Sequence, residues 1–139
     1  MRTFYCLLMI RGEAACSCGE LRVSVEGEPV RVSVCHCLAC QRRTGSAFGF
    51  QARFSGGDAS ISGESREFVR ISDHGERRNF HFCPRCGATV YYLDPAEPEV
   101  IAIPVGAFAD PEFPPPWFSV WESRKHGWVT VPEDAEHHQ

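Results

Sequence analysis

Seven of the eight cysteines fall into three tight clusters: Cys16 and Cys18 as CxC, Cys35, Cys37 and Cys40 as CxCxxC, and Cys83 and Cys86 as CPRC. A structural Zn²⁺ takes four ligands in a tetrahedron, whereas a zinc that does chemistry keeps three protein ligands and an open position for water or substrate. Two plus two plus three thiolates are what one closed and one open site require. The spacing therefore points to a zinc protein, and the open site points to an enzyme.

The competing explanation for so many cysteines is a disulfide framework, which suits short secreted chains. The apolar run from Phe4 to Ile10 is too short for a secretory signal, and Arg11 and Glu13 interrupt it before any small-residue cleavage site. Reduced, metal-bound thiols in a cytoplasmic protein are the expectation. With 139 residues and 43% hydrophobic composition, the chain is long enough to bury a core as one domain without staples. Its formal charge is −4, and loading seven thiolates with two Zn²⁺ makes it more negative still. A nucleic-acid binder carries a basic face, so nucleic acid is not an expected partner. No apolar run approaches the roughly 18 residues of a membrane span, so no membrane is expected either.

The periodicity is mostly two, the mark of half-buried strands. Leu21, Val23 and Val25 alternate with Arg22, Ser24 and Glu26; Val30, Val32 and Val34 alternate with Arg31 and Ser33; Phe48, Phe50, Ala52 and Phe54 continue the pattern. Each such strand is expected to bury one face. An Asp73, His74, Gly75 turn joins Glu67–Ser72 to Arg77–Phe82 in a hairpin that delivers Cys83 at its exit. Further strands are expected over Ala88–Leu93, Val100–Val105 and Trp128–Val131, and a short helix over Leu38–Thr44.

Residues two apart on a strand face one side, so Cys16 and Cys18 can address one metal while Ser17 faces away. Cys83 and Cys86 form a CxxC knuckle, stiffened by Pro84 and followed by Gly87, where positive φ carries little cost. The CHCLAC segment offers three thiolates from one short turn and no local fourth ligand. Cys6, His36, His74, His81 or His126 could complete it, or it stays open. His36 is a poor candidate because its cysteine neighbours already face the metal. His81 is expected to face solvent, and His137 and His138 to lie in a disordered polar end.

At CSCGELRV, CHCLACQRRTGSAF and FHFCPRCGATVYY, in that order, the chain resembles the glutathione-dependent formaldehyde-activating enzymes, a family of the Mss4-like superfamily with centromere protein V as a divergent relative. The resemblance implies a mainly antiparallel β fold with zinc knuckles. It implies a structural zinc at Cys16, Cys18, Cys83 and Cys86 and a catalytic zinc at Cys35, Cys37 and Cys40. It spans residues 12–131, leaving 1–11 as an N-terminal extension and 132–139 as a tail. The activity it implies is condensation of glutathione, or a related small thiol, with an aldehyde to an S-hydroxymethyl adduct, a carbon–sulfur lyase in reverse.

Arg42 and Arg43 follow Cys40 directly, and guanidinium forks suit the carboxylates of a peptide-like thiol. Phe48, Phe50, Trp117 and Trp121 could line a pocket or sit in the core. The alternative from another class is a zinc-stabilised scaffold without turnover. It needs only Cys16, Cys18, Cys83 and Cys86, and leaves the three further cysteines unexplained.

Overall fold

Strands with apolar residues at every second position must place those residues against another layer. The computed structural model describes residues 8–72 and 74–139; Cys6 and Asp73 lie outside them. Its strands are β1 (Ile10–Ala15), β2 (Arg22–Gly27), β3 (Arg31–Cys35), β4 (Gly49–Ser55), β5 (Ala59–Ser62), β6 (Arg66–Ile71), β7 (Arg77–Phe82), β8 (Thr89–Leu93), β9 (Val100–Pro104), β10 (Phe118–Val120) and β11 (Glu136–His137), with the helix α1 (Leu38–Thr44) between β3 and β4. A 3-stranded sheet runs β1-β2-β5, and an 8-stranded sheet runs β11-β10-β3-β4-β9-β8-β7-β6. Pairing is antiparallel throughout except at β10, which lies parallel to both β3 and β11. The fold is mainly β, as expected.

The small sheet covers one face of the large one. Ala14, Leu21, Val23 and Val25 pack with Val32, Ala52, Phe54, Val90, Ile101 and Ile103 in one buried cluster. The strict alternation of β2, exposed at Arg22, Ser24 and Glu26, follows because its other face meets solvent. β3 departs from that rule. Val32, Ser33 and Val34 are all buried, as is Gln51 on β4. The expectation that each strand buries a single face fails here, because the second face of the large sheet is itself covered and lines a cavity.

The helix occupies Leu38–Thr44 as expected, and the hairpin forms as β6 and β7. The expected last strand, Trp128–Val131, is not a strand. Trp128 is 74% exposed, while its neighbour Val129 is buried. The sheet instead gains β10, just after the Pro-rich stretch, and β11. His137, expected in a disordered end, belongs to β11 and pairs with Glu122 at 2.6 Å, and His138 packs on Phe118. Within residues 132–139, Glu136 and His137 thus form the edge strand of the large sheet. His81 is half-buried rather than solvent-facing: it stacks on Tyr91 with ring centroids 4.5 Å apart, and its Nδ1 meets Ser65 Oγ at 2.9 Å.

Phe54 is 0% exposed, so Phe54→Ala is expected to cost about 3–5 kcal/mol through lost burial and a cavity. Trp128→Ala is expected to change stability by less than about 0.5 kcal/mol. Urea unfolding of both variants measures the difference, and comparable losses would place Trp128 in the core.

Candidate metal centres and cavity

β1 ends at Ala15, and the chain turns back on itself with Gly19 N–H donating to Cys16 carbonyl oxygen at 3.0 Å. Cys16 and Cys18 therefore sit on a turn rather than on a strand. β7 ends at Phe82, and the CPRC loop closes with Gly87 N–H donating to Cys83 carbonyl oxygen at 2.8 Å, Gly87 having φ +82°. The two turns bring four sulfurs together, all within 4.8 Å of one another. Cys18 Sγ lies 3.6 Å from both Cys16 Sγ and Cys83 Sγ. Sulfurs about 2.3 Å from a tetrahedral zinc are separated by about 3.8 Å, so the donor set and its spacing fit such an ion. Burial opposes ionisation of Cys16, yet the Leu21 backbone N–H and the neighbouring thiols bring it down to about 6. Arg85 and Glu20, 2.8 Å apart, bridge the same two turns at the surface.

The second cluster is built by the exit of β3 and the start of α1. Cys37 is the helix N-cap, its Sγ accepting from Cys40 N–H at 3.3 Å, and Gly45 ends the helix in the left-handed region at φ +66°. Gln41 ties α1 down, donating from Nε2 to the carbonyls of His36 at 2.9 Å and Arg124 at 3.1 Å. Cys35, Cys37 and Cys40 offer three sulfurs within 4.8 Å of one another, and no histidine or carboxylate among the described residues joins them. Contacts with the Cys35 and Cys40 thiols pull Cys37 down to about 2, while contacts with Cys37 and Cys40 push Cys35 far above the usual thiol range. Three sulfurs this close cannot all carry charge without a cation. Both clusters could hold metal ions.

The residues weighed as a fourth ligand are placed elsewhere. His36 is 0% exposed with Nε2 3.1 Å from Ser119 Oγ. His126 pairs with Gln41 Oε1 at 2.8 Å, His74 stacks on Trp121, and His81 belongs to the Tyr91 contact. Cys6 lies outside the described residues.

The three-sulfur cluster opens onto a cavity of about 510 Å³ on the covered second face of the large sheet. Its floor includes Ser33, Gln51 and Tyr92; its walls include Arg31, Arg53, Arg70, Arg78 and Arg124, with Trp121 and His74 at the rim. The cysteines were legible in the sequence, and these arginines were not, since on isolated strands they read as solvated positions. Arg42 is exposed and does not line the cavity. Arg43 is half-buried, its guanidinium 5.0 Å from the Phe80 ring centroid and 5.5 Å from that of Tyr92, and it too lies off the lining. Of the four aromatics considered, Trp121 borders the cavity, Phe48 meets His36 edge-on, and Phe50 and Trp117 pack against the core.

A graded chelator titration followed by native mass spectrometry is expected to empty the three-sulfur cluster first, because four thiolates hold a metal more tightly than three. Simultaneous loss of both metals would mean that the second cluster recruits a further protein ligand.

Comparison with known proteins agrees with this geometry. A solved structure of a Rhodobacter sphaeroides protein is similar in fold, with a TM-score of 0.52 at 17% identity, covering 91% of this chain and 99% of that one. A Halomonas elongata protein provisionally named a glutathione-dependent formaldehyde-activating enzyme is 30% identical, over 75% of this chain and 69% of that protein. Residues 11–124, which carry both cysteine clusters and the whole of the cavity lining, match the family model described as glutathione-dependent formaldehyde-activating enzyme, and the chain belongs to that family.

Proposed function

We propose that this protein is a zinc enzyme that joins a small thiol, glutathione or a close relative, to an aldehyde such as formaldehyde, or cleaves the adduct. The observation that carries this reading is the placement of Cys35, Cys37 and Cys40 at one end of a cavity walled by arginines. In the condensation, a carbon–sulfur bond forms between the thiol sulfur and the carbonyl carbon as the carbonyl π bond breaks. The thiol proton ends on the former carbonyl oxygen, so the adduct needs no further reactant. A zinc ion held by the three thiolates would supply Lewis acidity, favouring an ionised thiol or a polarised carbonyl.

The chain's own residues supply the rest. The arginines hold a negatively charged thiol compound in the cavity, and Arg is suited to that task because its fork matches a carboxylate. Tyr92 borders the cavity within electrostatic reach of Cys35, Cys40 and Arg53, and burial raises its pKa. Its Oη therefore keeps its proton near neutral pH and can donate a hydrogen bond to the oxygen that gains negative charge. Trp121 and the β6–β7 hairpin shield the rim from water. The four-sulfur cluster has no access to this cavity and serves the fold.

Cys83→Ser is expected to cost several kcal/mol and to unfold much of the protein, since structural zinc in zinc-finger peptides is worth about 10–16 kcal/mol. Cys37→Ser is expected to leave the thermal melt near wild type while returning adduct formation to the spontaneous rate. Circular dichroism and exchange NMR of S-hydroxymethylglutathione formation measure both. Wild-type turnover in the Cys37 variant would remove the second cluster from the chemistry. A metal-loaded wild type that gives no acceleration would favour the scaffold reading.

A further inference from the structure

The strand registers set like charges face to face. Arg31 on β3 lies directly opposite Arg53 on β4, and Arg70 on β6 lies directly opposite Arg78 on β7. All four line the cavity. Like charges directly across a strand pair are destabilising, so such an arrangement favours an anion that balances it. Arg78 has one in Asp94, 3.2 Å away. Among the described residues, Arg31 and Arg53 have no carboxylate partner, and Glu76 alone brings a carboxylate to the cavity lining.

The groups beneath this pair are built to meet a ligand. Arg31 is fixed over the Phe118 ring, 3.9 Å from its centroid. Ser33, 2% exposed, accepts at Oγ from Gln51 Nε2 at 2.8 Å and from Arg53 Nη1 at 3.2 Å. A hydroxyl has two lone pairs and one proton, so with both lone pairs engaged Ser33 is left with an O–H to donate. Gln51, 3% exposed, has a buried Oε1 with no partner. The site thus presents two guanidinium groups and a hydroxyl proton to an acceptor, and beside them one buried acceptor that lacks a donor. A peptide carboxyl end matches that set, because its carboxylate and its own N–H are two bonds apart.

Distance adds a length requirement. Arg31, Ser33 and Cys35 share one strand face, which puts Cys35 and Arg31 about 13 Å apart along β3. A cysteinyl thiol followed by one more residue spans about 7 Å of chain, and the arginine stems bridge the remainder. Free cysteine falls short. We propose that Arg31 and Arg53, with Ser33 and Gln51 beneath them, form a carboxylate subsite that selects thiols ending in a peptide carboxyl group and so sets thiol specificity. This rests on reading the cavity as the thiol–aldehyde site.

Calorimetric titration of metal-loaded protein with S-methylglutathione and with its monoethyl ester at the glycine carboxyl tests the subsite without turnover. Wild type is expected to bind the acid at least tenfold more tightly than the ester, and Arg53→Gln to lose that preference. Because the substitution relieves repulsion, ligand-free Arg53→Gln is expected to melt at or above the wild-type temperature, which separates lost recognition from lost folding. In turnover, its KM for glutathione should rise at least tenfold with kcat within about threefold. Undiminished preference for the acid in Arg53→Gln overturns the proposal, and so does equal use of acid and ester by a wild type that turns over glutathione. If wild type prefers the acid, Arg53→Gln does not, and formaldehyde is never condensed, the subsite stands and the proposed reaction falls.

Discussion

Two turns lying far apart in sequence, one after β1 and one after β7, are drawn together by four sulfurs, and the two-sheet arrangement depends on that closure. Cys16 and Cys18 leave the small sheet; Cys83 and Cys86 leave the large one. Cys18 and Cys83 are 65 residues apart in sequence, so a metal bound here closes a long loop. Once the small sheet is pinned, its apolar face covers one side of β3, β4, β8 and β9, and every site residue on those strands is obliged to use the other side. The catalytic geometry proposed above is thus a consequence of where the closed cluster places the cover.

The cluster near the cavity is held by a different logic. Its three sulfurs come from six consecutive residues, and its supports are local: the Cys37 cap, the Gly45 stop and the Gln41 hydrogen bonds to two carbonyls. Little of the rest of the chain hangs on it. Such separation between a cluster that secures the fold and one that faces the cavity lets the second be reactive without endangering the first.

Much of this was legible in the sequence. Cysteine spacing is a local signal, and it identified both clusters because the turns that bear them are short. The helix bounds followed from the same segment, and β2 and the β6–β7 hairpin followed from alternation. What was missed depends on neighbours distant in sequence. Arg31 and Ser33 look like solvated positions on a half-buried strand until β4, β10 and the hairpin bury Ser33 and leave Arg31, still exposed, at the mouth of a cavity. Trp128–Val131 looks like a strand, yet the sheet is completed instead by β10 and β11, whose parallel pairing no local pattern announces. Arg42 and Arg43 were attractive because they adjoin Cys40, but Arg42 turns to solvent, while Arg43, one helical turn on from Cys40 and within its electrostatic reach, packs by the Phe80 and Tyr92 rings rather than in the cavity lining.

The interleaving of the two faces of β3 and β4 has a further consequence, for how such proteins diverge. Val32 and Ala52 belong to the core, while their immediate neighbours Arg31, Ser33, Gln51 and Arg53 belong to the cavity. A single nucleotide change at one of the latter alters what the cavity accepts and leaves the packed layer untouched. Under the function proposed above, proteins sharing the cysteine framework are free to drift in the thiols they accept, one strand position at a time.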